Sequence, residues 1–162
     1  MKKPILDQVA YLHQKAMTVD AHFDLPSDVA SRRERGEKRV IENHYLNGLK
    51  SGGIDLLVSA IFIEDMFLPE MGLRRALDQI AYLLEDLEET PGEFRLCRTW
   101  SDIQAAKAAG QIGLLLSLEG ADPLQGDLGL LRIFYELGVR GLGLVWSRRN
   151  AVGDGASFAS LR

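Results

Sequence analysis

At 162 residues the chain has the size of one compact domain, enough to bury roughly two-thirds of its unfolded surface. Its 46% hydrophobic and 26% charged residues exclude a disordered chain as the main state. The net charge of −4 and the pI near 5.4 leave no electrostatic footprint for nucleic acid.

Pro4–Ala16 reads as a helix, with Ile5, Val9, Leu12 and Ala16 at helical spacing and their common face expected to be packed. Met17–Leu25 alternates and carries β-branched residues, which fits a strand running into a loop. Ser31–Arg39, with five basic and two acidic residues, reads as a solvated loop. Helical spacing returns from Ile41 to Lys50 and stops at Gly52-Gly53. Ile54–Ile63 is a nearly continuous apolar run of strand length, the pattern of a parallel strand covered on both faces.

Glu70–Thr90 carries the clearest helical pattern, with Leu73, Leu77, Ile80, Leu84 and Leu87 in one stripe and Pro91-Gly92 as the stop. Phe94–Arg98 is a short strand, in which the single cysteine, Cys97, reads as a small buried apolar residue. A lone cysteine excludes an intrachain disulfide and a thiolate metal cage. Ser101-Asp102-Ile103-Gln104 is a capping-box pattern that opens a helix ending near Gly110. Ile112–Leu118 is a further buried strand, followed by Glu119-Gly120. Asp127 caps a helix with Leu130, Leu131, Phe134 and Leu137 on its apolar side, and Val139–Trp146 forms the fifth strand. The tail Ser147–Arg162 shows no further element. Met1–Lys15 lacks the apolar stretch of a secretion leader, and no run reaches the ~18 apolar residues of a membrane span. The expected compartment is therefore the cytoplasm, with no membrane partner. Strands alternating with helices specify an α/β fold with a parallel sheet.

Two features can carry chemistry. His22 and Asp24 flank Phe23 at the end of the first strand, so both point to the same face and can converge on a divalent ion. An ordinary alternative has His22 capping the strand and Asp24 accepting loop amides before Pro26. Glu119 directly follows a buried strand, where barrel active sites are assembled, although a solvated glutamate at a strand end is equally ordinary. His13 and His44 lie on helical segments that precede strands, so they are expected to face away from that rim.

DAHFDLP (Asp20–Pro26), LLLSLEGADPL (Leu114–Leu124) and the stretch Asp127–Gly155 resemble, in order and spacing, the first strand, the glutamate-bearing strand and the following helix, strand and Asn-containing loop of the renal (membrane) dipeptidase family. The resemblance implies a (β/α)8 TIM-type barrel, of which about five βα units are visible here. It implies a zinc dipeptidase with two Zn²⁺ ions, in which His22 and Asp24 ligate one and Glu119 bridges both. A metal-bridging hydroxide would attack the dipeptide carbonyl. Trp146 and Asn150 would lie on the substrate side, Trp146 standing where some members carry a histidine. No histidine follows His44. Since a full barrel needs eight strands, a C-terminal segment or a homo-oligomer is expected to complete it. The other readings are a non-catalytic fragment or binding module, and an amidohydrolase-type enzyme acting on another amide or ester.

Overall fold

A computed structural model describes residues 4–158, and every structural statement below refers to those residues; the expectation for the last four tail positions lies outside them. The elements follow the chain as α1 (Ile5–Lys15), β1 (Val19–Phe23), α2 (Leu25–Glu34), α3 (Asn47–Ser51), β2 (Leu56–Ile61), α4 (Gly72–Glu89), β3 (Phe94–Leu96), α5 (Trp100–Ala108), β4 (Ile112–Glu119), α6 (Leu128–Leu137) and β5 (Val139–Gly143). All five strands are parallel, which is the α/β architecture expected.

The strands are not laid down in chain order. β1 pairs with β2, and β2 pairs directly with β4 from Leu56–Gly113 to Ile61–Leu118. β3 and β5 then share the opposite side of β4. β3 pairs with its beginning (Phe94–Ile112 to Leu96–Leu114) and β5 with its end (Leu116–Val139 to Glu119–Gly143). At three residues, β3 is too short to stand between β2 and β4 along their common length.

Leu57, Leu114, Leu116 and Leu118 are fully buried on one face of the sheet, beneath Leu25 and Val29 of α2 and Ala76, Ile80 and Leu83 of α4. The other face is covered near the strand starts, where Leu56, Cys97, Ile103 and Ala106 pack together. Cys97 is buried as expected, and burial pushes its thiol pKa up.

Four expectations need correction. The basic run Ser31–Arg39 is not all loop, because α2 extends to Glu34 after starting at Leu25-Pro26, where proline is tolerated in the first turn. Its Arg33 is nearly buried and bonds Asp86 at 2.8 Å and Glu89 at 2.9 Å. The buried side of α4 is therefore not purely apolar. Asp86, with no exposed surface, also accepts the amides of Val40 at 2.9 Å and Ile41 at 2.8 Å, and Gln79 donates to the Phe62 carbonyl at 2.6 Å. The capping box is formed by Thr99 and Asp102, because α5 starts at Trp100. Finally, the apolar side of α1 is open: Ile5 is 78% and Leu12 60% exposed. Helical periodicity identified that element, but no described element covers its apolar side. No described helix is long and apolar enough to cross a membrane.

Arg33→Ala leaves the Asp86 carboxylate in the core with backbone donors alone, and is expected to lower unfolding free energy by about 3 kcal/mol in urea denaturation. The Arg33 guanidinium and the Arg39 amide also hold the Glu89 carboxyl down to about 2 from 4.5. Because the folded value is the lower one, this stabilisation is present above pH 4.5 and is lost as pH falls toward 2. Thermal melts across that window should show a smaller acid loss for Glu89→Gln than for the parent chain.

Candidate metal centre

Alternation along two strands assembles the site. At the end of β1 the register with β2 shifts between Asp20 and Phe23, and Phe23 turns into the core to meet the Tyr45 ring edge-on at 5.6 Å. His22 and Asp24, one residue to either side, face the opposite way. In β4, Leu114, Leu116 and Leu118 enter the core, so Leu115, Ser117 and Glu119 point to the other face. Pairing of β1 with β2 and of β2 with β4 brings these three polar groups to one rim.

There, His22 Nε2 lies 3.2 Å from Glu119 Oε2 and 3.5 Å from Asp24 Oδ1. One ligand atom from each side chain falls within 4.8 Å of the other two, and no other such cluster occurs among the described residues. The Glu119 side chain is only 17% exposed, and burial raises its carboxyl pKa, opposed by the neighbouring His22. A partly buried carboxylate beside another carboxylate, balanced by one imidazole and more distantly by Arg148, leaves the cluster favourable to a cation. One nitrogen and two oxygen donors are the set that a divalent ion of zinc type accepts. The residues fit such an ion. The cleft around them, about 240 Å³, is completed by Phe62 and Trp146, whose rings meet edge-on at 5.2 Å.

The sequence matches the membrane dipeptidase family, peptidase family M19, over residues 6–161. The chain belongs to that family. An uncharacterized protein of the PQQ-III 3′ region in Acinetobacter calcoaceticus is 34% identical over 73 residues, 45% of this chain and 23% of that protein. Among solved structures, a metallopeptidase of the same family, dipeptidase AC, is 26% identical with a TM-score of 0.72, covering 82% of this chain and 43% of that one. A metallopeptidase from Rhodobacter sphaeroides, bound to a phosphinate mimic of L-Ala-D-Ala, is 23% identical with a TM-score of 0.71, covering 82% of this chain and 46% of that one. At that identity the second likeness is one of fold. This member of the membrane dipeptidase family thus spans less than half the length of the relatives it matches.

The structure brings together His22, Asp24, Glu119 and Trp146, and sets Asn150 elsewhere. The Asn150 side chain donates to the Leu144 carbonyl at 2.8 Å and accepts the amides of Val152 at 2.9 Å and Gly153 at 3.3 Å, which ties its own turn together. It borders a neighbouring cavity of about 500 Å³ with Leu68, Pro69 and Asp122. His44 bonds Glu37 at 3.0 Å, and the ring of His13 sits against Gly53; neither joins the three-donor cluster. Sequence reasoning passes over Phe62 and Arg148, and sees in Asp122 only a charge that would repel an anion from the next helix. Phe62 reads as one more apolar residue at a strand end, and only the fold brings the two charged residues into contact.

Gly120 follows Glu119 with φ +94°, and a Cβ there would lie 2.5 Å from Asp122 Oδ2. Its amide and that of Ala121 continue the ladder to Gly143 and Leu144, each at 3.0 Å, so the turn cannot simply swing away. Gly120→Ala is expected to cost about 1–3 kcal/mol of stability in chemical denaturation.

Proposed function

We propose that this chain carries part of the metal centre of a dipeptide-hydrolysing enzyme, with Zn²⁺ as the ion and His22, Asp24 and Glu119 as its donors. The reading rests on the convergence of three ligand atoms within 4.8 Å at the C-terminal rim of a parallel sheet, where barrel enzymes build their active sites. Membership in a metallodipeptidase family and the fold shared with solved metallopeptidases support the same reaction class. When bound, zinc supplies Lewis acidity toward an amide carbonyl and lowers the pKa of a water.

The remaining work falls to side chains of this chain. His22 offers Nε2 in its neutral form, and Asp24 and Glu119 supply the negative charge that holds a cation. The family resemblance implies that Glu119 would be shared with a second ion. Burial raises its carboxyl pKa in the metal-free chain, and a bound cation would favour the ionised form. Phe62 and Trp146 present apolar surface on one side of the cleft, which has room for a small substrate.

A second reading, metal binding without turnover, draws on one observation: among the described residues only three donors form the cluster. Calorimetric titration with Zn²⁺, paired with release of free amino acids from dipeptides, separates the two. Zinc binding with amino-acid release supports the enzyme and rules out the second reading. His22→Ala and Glu119→Gln are each expected to weaken zinc binding by at least about tenfold. If the parent chain takes up no zinc, or the two variants bind it as tightly as the parent does, the metal centre is wrongly placed.

A further inference from the structure

Behind the aromatic side of the cleft lies a charged residue that the site description does not use. Arg148, in the loop after β5, is only 22% exposed on its side chain, and its guanidinium reaches two separate segments. Nε lies 3.4 Å from Asp122 Oδ1 in the loop after β4. The two terminal nitrogens bond the Asp65 carboxylate and the Ile63 carbonyl, both in the segment after β2. The same guanidinium lies over the Phe62 ring, 5.2 Å from its centroid, within the range of a cation–π contact.

Phe62 is therefore held twice. Gln79, buried in α4, fixes its backbone carbonyl, while Arg148 covers its ring and ties down the residue that follows. Phe62 in turn is the ring against which Trp146 packs, and both line the cleft that contains His22, Asp24 and Glu119. A planar group with five donors in a fixed fork can satisfy these partners at once; an ammonium cannot.

We infer that Arg148 is a positioning residue: it sets Phe62 and Trp146 as a fixed apolar wall beside the metal donors, so that the cleft favours dipeptides with an apolar side chain on that side. The selectivity rests on the dipeptidase reading; the fixing of the wall does not.

The two parts are tested separately. Trp100→Phe makes Trp146 the one tryptophan of the chain's two, and its time-resolved fluorescence anisotropy then reports local motion. Arg148→Met is expected to add a fast depolarising component while the far-UV circular dichroism stays intact, and Arg148→Lys to restore part of the rigidity. Phe62→Ala, which leaves the Arg148 ion pairs in place, should free Trp146 in the same way and keeps the test readable if Arg148→Met does not fold. Unaltered Trp146 motion in Arg148→Met, or in Phe62→Ala where the first variant fails to fold, overturns the inference.

For selectivity, zinc-loaded protein is titrated with Ala-Phe and Ala-Gly. The preference for Ala-Phe is expected to fall by roughly tenfold in Arg148→Met. An unchanged preference removes the selectivity claim. Absence of binding by either dipeptide to any variant, with zinc taken up normally, overturns the substrate reading and the selectivity with it, while the anisotropy still decides the positioning role.

Discussion

β2 and β4 run side by side through six residue pairs, and the rest of the molecule takes its bearings from that ladder. Side chains alternate across a strand, so one face receives Leu57, Leu114, Leu116 and Leu118 and is closed by α2 and α4. The opposite parity is thereby imposed on Leu115, Ser117 and Glu119. A slip of one residue would exchange the two sets and place a carboxylate in the core. The same arrangement that buries four leucines also presents Glu119.

The helical layer is secured by polar contacts as well as by oil. Arg33 on α2 and Asp86 on α4 meet inside the layer, and the Asp86 carboxylate accepts two backbone amides that lie between α2 and α3. A buried charge pair is weak evidence for net stability, but its geometry is demanding. It specifies how α2 docks on α4, and α2 begins at the residue after Asp24. The setting of that candidate ligand is thus fixed partly from behind the sheet.

Apolar periodicity made most of the fold readable. The runs forming β2 and β4, the stripe of α4 and the cap at Asp127 lie close to where the sequence places them. The ordering of β3 was not readable, because a three-residue strand carries no pairing information of its own. α2 was hidden because its exposed side is charged, and its apolar side is supplied by Leu25, Val29 and Ala30, which lie ahead of the basic run or at its border. The cluster at the rim was legible in part: the spacing of His22 and Asp24 and the strand-end position of Glu119 mark it. Arg148 was not, since its partners lie 26 to 85 positions away along the chain.

β3 has a mechanical effect out of proportion to its length. It fills the edge of β4 up to Leu114, and β5 joins that same edge only from Leu116. It therefore acts as a doorstop beneath β5, keeping Gly143 level with Glu119 and launching the Trp146 loop from above the His22, Asp24 and Glu119 cluster. Without that stop, β5 could slide down by two residues, about 6.6 Å, and still satisfy the pleat. The loop carrying Trp146 would then shift with it toward the cleft. Three residues at the base of the sheet thus bear on the opening at its top.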